Sequence, residues 1–74
     1  MDLRNLELFL HLAESLHFAK TADAMAVSPS TLSRAIQRLE QEVGCPLFER
    51  DNRSVSLTPA GDRLREFGLH LLDD

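Results

Sequence analysis

The sequence predicts a small, mainly α-helical domain that carries one two-stranded hairpin, and three observations lead there. Apolar residues recur at helical spacing through most of the 74 residues. Ser28-Pro29 and Thr58-Pro59 each combine a capping side chain with a proline suited to the first helical position. After Gly44 the period changes, and strand formers flank the turn residues Asp51-Asn52-Arg53.

Leu3, Leu6, Phe9, Leu10 and Ala13 form the stripe of a first helix, and Leu8, Leu12 and Leu16 add a second stripe beside it. This helix is therefore expected to be covered on two sides. His11 has Glu7 and Glu14 within helical reach, but a metal site needs three or four convergent ligands, and His17 falls in the following turn. Both read as ordinary surface or half-buried histidines. A short second helix over 18–26 turns Ala19, Ala22, Met25 and Ala26 inward and leaves Lys20 and Asp23 outside. Val27-Ser28 then leads directly into the next helix, which is the helix-turn-helix arrangement without its usual turn glycine.

The third helix opens at Ser28, with Pro29 where a missing N–H would be unpaired anyway, and stops at Gly44. Leu32, Ala35, Ile36, Leu39 and Val43 make its apolar stripe, while Ser30, Ser33, Arg34 and Gln37 fall on the opposite side. Small hydroxyl residues near the start let this end approach a crowded polymer, and Arg34 and Gln37 suit guanine and adenine edges. Taken alone, a solvated amphipathic helix is the commoner reading of such a face. Glu40 and Glu42 crowd the last turn, where the helix dipole favours cations, and a broken local rule points towards function.

Residues 47–50 and 54–57 form the hairpin, with Phe48, Val55 and Leu57 packing inward and Arg50 and Arg53 projecting. Beside a helix-turn-helix, such a wing supplies a second point of contact. In the fourth helix Leu64, Phe67, Gly68, Leu71 and Leu72 lie on more than one side, so part of that surface needs a partner. Gly68 costs about 1 kcal/mol relative to alanine inside a helix and so marks a close crossing. Asp73-Asp74 are poorly placed for a helix end, and the helix is expected to run on.

A chain of this length holds one core, and its stability is limited or helped by a partner. Its 43% hydrophobic and 27% charged residues are ordinary for a globular domain. Cys45 is the only cysteine, which excludes an intrachain disulfide, fits a reducing cytoplasm and reads as a small buried hydrophobe. No segment approaches the roughly 20 apolar residues of a membrane span, and no secretory start is present, so a soluble cytoplasmic chain is expected.

The net charge of −4 argues against coating nucleic acid through bulk charge, so any such contact must be local. Between Ser28 and Thr58, Arg34, Arg38, Arg50 and Arg53 balance Glu40, Glu42, Glu49 and Asp51, and the acidity lies at the ends. There is no phosphate-cradling glycine loop, no converging Ser/His/Asp set and no paired acid with a perturbing neighbour. An enzyme is thereby disfavoured, and no cofactor or metal is expected. Single-strand or RNA binding is disfavoured as well, since Tyr and Trp are absent and Phe9, Phe18, Phe48 and Phe67 sit at core spacings.

The pattern resembles the N-terminal DNA-binding domain of a LysR-type transcriptional regulator over nearly the whole chain. The residues that carry it are Leu6, Phe9, Phe18, Ala22, Val27-Ser28, Ser30, Leu32-Ser33, Ile36 and Leu39-Glu40, then Gly44, Leu47-Phe48, Arg50, Arg53, Val55, Leu57-Thr58 and Ala60-Gly61. The runs 9–15 and 28–34 are similar to those of members that regulate branched-chain amino-acid synthesis. The resemblance implies a winged helix-turn-helix, with a three-helix core, a two-stranded β wing and a C-terminal linker helix. Residues 1–57 would form the DNA-binding domain and residues 58–74 the start of the linker helix, with the effector-binding domain of longer members absent.

Helix 3 would lie in the major groove and the wing at the minor groove. Carried over by position, Pro29, Ser30, Ser33 and Arg34 would approach bases and Arg53 would enter the minor groove, while Thr31, Gln37, Arg38 and Arg50 would contact phosphates. Phe67, Leu71 and Leu72 would join two copies into a homodimer, and longer members would form tetramers. Two positions depart from the family: Pro29 replaces a common glutamine, making one base contact apolar, and Met25 replaces the commoner leucine. The expected partner is a double-stranded DNA operator; the rival reading is a winged-helix module that holds another protein.

Overall fold

The computed structural model describes the backbone of residues 1–73 and the side chains of residues 1–71. In chain order these form α1 (Leu3–Ser15), α2 (Phe18–Ala24), α3 (Pro29–Val43), β1 (Phe48–Arg50), β2 (Val55–Leu57) and α4 (Pro59–Asp73). The strands pair antiparallel, with Phe48 opposite Leu57, Glu49 opposite Ser56 and Arg50 opposite Val55. This is the mainly α, winged helix-turn-helix architecture that the sequence predicts.

Local chemistry sets most element ends. Asp2 caps α1 by accepting the Arg4 N–H at 2.8 Å, and Ser28 caps α3 by accepting the Thr31 N–H at 3.1 Å. Gly44 ends α3 at φ 90°, in the left-handed region that glycine enters without a Cβ penalty. His17 caps α2, its Nδ1 accepting the Lys20 N–H at 3.3 Å, which gives an ordinary histidine a structural task. α2 stops two residues earlier than expected. There Ala26 takes φ 58°, its N–H donates to the Asp23 carbonyl, and the Val27 N–H donates to the Ala22 carbonyl. That pair of bonds is the Schellman ending, with alanine in the place of the missing turn glycine.

Leu6, Leu8, Phe9 and Leu12 of α1, Leu32, Ile36 and Leu39 of α3, Leu47 before the wing and Phe48 of β1 make up most of the core. The Phe48 ring meets Phe9 at a centroid distance of 5.4 Å, and Phe18 meets Phe48 at 6.4 Å. α4 crosses α1 closely, as expected, since a Cβ on Gly68 would lie 3.1–3.2 Å from Leu6 and Leu10 side-chain carbons. Its start is anchored by Thr58, whose hydroxyl donates to the Pro46 carbonyl at 2.6 Å and accepts the Gly61 N–H at 3.0 Å.

Several expectations are corrected. Leu3, Leu16 and Val43 stand at helix ends and are exposed, since a local apolar stripe does not by itself supply a neighbour to cover it. Ala19 and Ala26 are also exposed, and Thr21 is buried beside Ala22 with its hydroxyl 2.5 Å from the Ser15 hydroxyl. Cys45 is exposed, since it follows the αL turn at Gly44 where the chain leaves the core. Phe67 departs from the core spacing of the other phenylalanines and is 54% exposed.

The two glutamates at the end of α3 also have structural employment. Glu40 accepts the Leu47 N–H at 2.8 Å, and Glu42 lies 3.6 Å from the N-terminal amine. Their conflict with the helix dipole is thus offset by partners outside the helix.

Candidate nucleic-acid interface

The second helix of the helix-turn-helix offers one continuous outward surface. With Leu32, Ala35, Ile36 and Leu39 buried, the 3.6-residue period forces Ser30, Arg34 and Gln37 outward; these are exposed, and Ser33 is half-buried at the edge. Pro29 and Thr31 are exposed in the first turn, and Arg38 one turn beyond Arg34. Ser28 donates its hydroxyl hydrogen to Thr31 Oγ1 at 2.9 Å, which leaves the Thr31 hydroxyl hydrogen free to donate outward. Thr31, Arg34 and Arg38 share a shallow polar recess with Asp2 and Asn5 at the start of α1. Among the described residues the ion pairs are Met1 amine with Glu42 and Arg65 with Glu14, so none of Arg34, Arg38, Arg50 and Arg53 is paired with a carboxylate there.

The wing supplies the second group. Asp51 Oδ1 accepts the N–H groups of Arg53 and Ser54, both at 2.8 Å, and the Asp51 N–H donates to the Ser54 carbonyl at 3.0 Å. These bonds shape the tip and fix where the Arg53 side chain leaves the backbone. The backbone donors of Arg53, then of Ser54, hold the Asp51 carboxyl below the ordinary aspartate range. Arg53 projects as expected. Arg50 differs: its guanidinium carbon lies over the Phe18 ring, 4.3 Å from the centroid. Strand parity is the sequence signal for this, because Arg50 stands two residues after buried Phe48 and therefore on the core-facing side of the hairpin. Asp51 and Phe18 are the contributors that residue type alone does not single out.

Among the described residues no three His, Cys, Asp or Glu side chains gather as metal ligands, and no helix is long and apolar enough to cross a membrane. What the fold and this surface define is a helix-turn-helix with a wing beside it, the class built to read duplex DNA. The family model described as bacterial regulatory helix-turn-helix protein, lysR family, matches residues 3–62, and the chain belongs to that family. It is a DNA-binding domain of the type that such transcriptional regulators carry.

Over 72 residues the chain is 65% identical to the HTH-type transcriptional activator IlvY of Salmonella typhimurium, covering 97% of this chain and 24% of that protein. It is 39% identical over 74 residues to the HTH-type transcriptional regulator BenM of Acinetobacter baylyi, covering 100% and 24% respectively. The chain thus spans about a quarter of the length of these relatives. Two solved complexes superpose closely. The BenM DNA-binding domain with catB site 1 DNA gives a TM-score of 0.92 at 40% identity, covering 99% of this chain and 81% of that one. The CbnR DNA-binding domain with DNA gives 0.93 at 34% identity, covering 99% and 84%.

Proposed function

We propose that this chain recognises a specific duplex operator by laying α3 in the major groove and the wing along the minor groove. The observation that carries the reading is the division of α3 into a buried apolar face and an outward face on which, among the described residues, Arg34 and Arg38 have no ion-pair partner. Pro29, Ser30, Ser33 and Arg34 approach base edges; Thr31, Gln37, Arg38 and Arg50 contact phosphates; Arg53 enters the minor groove. Residues 1–57 act as the reading unit and residues 58–74 as the first part of a dimerising linker helix. Phe67 and Leu71, exposed on α4, support a homodimer. The Leu72 side chain, assigned to the same surface from the sequence, lies outside the described residues.

In this reading the whole regulator is cytoplasmic, controls branched-chain amino-acid synthesis and, in its longer form, assembles as a tetramer; what supports the regulator role is the 65% identity to the HTH-type transcriptional activator IlvY. Its small-molecule effector would act through a domain outside this chain. The test is a band-shift with mixed-sequence duplex, followed from low to physiological salt. The chain's cationic contacts, drawn from Arg34, Arg38, Arg50 and Arg53, should make log affinity fall with log salt, each neutralised phosphate contributing a slope near −0.9. A chain with net charge −4 should bind non-specific DNA weakly at physiological salt and need two half-sites for tight binding. Absence of DNA affinity, or indifference to Arg34→Ala, would favour the protein-docking module instead.

A further inference from the structure

Arg50 is exposed, yet its guanidinium is not loose in solvent: Cζ lies 4.3 Å from the centroid of the Phe18 ring. The ring is itself held, because it meets Phe48 edge-on at 6.4 Å and 63°, and Phe48 packs against Phe9 in the core. A long arginine side chain samples many rotamers when free and gives up that freedom on binding. A guanidinium seated on an aromatic face has surrendered part of it beforehand, while its planar fork of N–H donors remains available to an anion. Phe18 is also the first residue of α2, and the first helix of a helix-turn-helix is the one that crosses the DNA backbone.

We infer that Phe18 is a positioning residue for DNA affinity, which holds Arg50 in a phosphate-binding pose without touching DNA itself. This rests on the assignment of Arg50 to a phosphate in the proposed function. Phe18 thereby links the helix-turn-helix to the wing through one cation on one ring.

A double-mutant cycle on the chain tests it, using a fluorescent duplex recovered by selection from random sequence with the wild-type chain. Arg50→Ala should weaken binding and reduce the slope of log affinity against log salt by about 0.9 per protomer, the loss of one phosphate contact. Phe18→Leu keeps an apolar side chain but no aromatic face; it should weaken binding about two- to fivefold, the bias given by a cation–π pair at an exposed site. That loss should vanish when Arg50 is already alanine, and Phe18→Tyr should bind like the wild type. Equal losses from Phe18→Leu in both backgrounds would overturn the inference while leaving Arg50 on its phosphate. An unchanged salt slope in Arg50→Ala would overturn both. Should Phe18→Leu fail to fold, Phe18→Met, apolar but without a ring, replaces it in the same cycle: a loss of about two- to fivefold that vanishes when Arg50 is alanine supports the inference, and equal losses in both backgrounds refute it.

Discussion

Arg34 and Arg53 carry the same charge to two different surfaces, and their surroundings decide what each can read. Arg34 stands on the outer face of a capped helix, where its fork can donate twice to one guanine, a contact worth roughly 1–3 kcal/mol of discrimination. Arg53 leaves a tight turn at the wing tip, and in the minor groove it senses width and negative potential, which favours A·T-rich sequence. Arg34→Ala should therefore relax base preference at one position of each half-site. Arg53→Ala should lower affinity and flatten the A·T preference at flanking positions. Selection from random duplexes with each mutant compares them; an unchanged motif with Arg34→Ala would remove Arg34 from base reading.

The turn that presents Arg53 makes a pH prediction of its own. Because the Asp51 carboxyl titrates below its ordinary value, its contribution to the wing is complete above the unfolded-chain value and is lost as pH falls through the lowered one. The amide resonances of Arg53 and Ser54 should shift together in an acid titration, with a midpoint below that of ordinary aspartate. A midpoint at or above that range would mean that Asp51 does not order the tip.

At the scale of elements, the turn inside the helix-turn-helix is the place where a better residue is available. Ala26 sits at φ 58°, and a left-handed residue with a Cβ is disfavoured by roughly 1–2 kcal/mol. Glycine would remove that strain and lose about 0.5–1 kcal/mol of it to the greater freedom of the unfolded chain. Ala26→Gly should thus stabilise the chain by about 0.5–1 kcal/mol in denaturant unfolding, and a loss of stability would contradict the Schellman assignment. The junction of α3, the wing and α4 has no such slack. Leu47 donates its N–H to Glu40 and accepts the Thr58 N–H at its carbonyl, and a Cβ on Gly61 would run into that same carbonyl oxygen.

For the whole molecule the unbalanced feature is α4. Leu64 is buried and Gly68 sits close against α1, but Phe67, Leu69 and Leu71 are 46–54% exposed on a chain with a small core to cover them. A two-fold pairing through this helix would bury them and set two α3 helices on one side of the duplex. Sedimentation of the wild type should show association that rises with concentration. Phe67→Ser combined with Leu71→Ser should yield a monomer with nearly unchanged helix content. A wild type that stays monomeric at high concentration, together with a longer chain that does the same, would overturn the pairing.

Sequence alone determined the features whose physics is short-ranged. The Ser28 cap, Pro29 and Gly44 bound α3 within a few residues of themselves, and the spacing of Leu32, Ile36 and Leu39 set which side of that helix is core and which is free to read DNA. The hairpin was legible in the same way, from Asp51-Asn52-Arg53 between two strand-forming runs. Tertiary structure decided what depends on groups far apart in the chain. Glu40 and Glu42 look like a functional breach of the dipole rule until Leu47 and the N-terminal amine come within reach. Val43 and Leu3 continue the apolar stripes of their helices yet are exposed at the helix ends, because burial depends on what packs opposite, which no local period records. Charge and a place in a hairpin predict a projecting Arg50; only the folded chain brings Phe18, distant in sequence, beneath it, since contact between a strand and a helix is set by packing around Phe48.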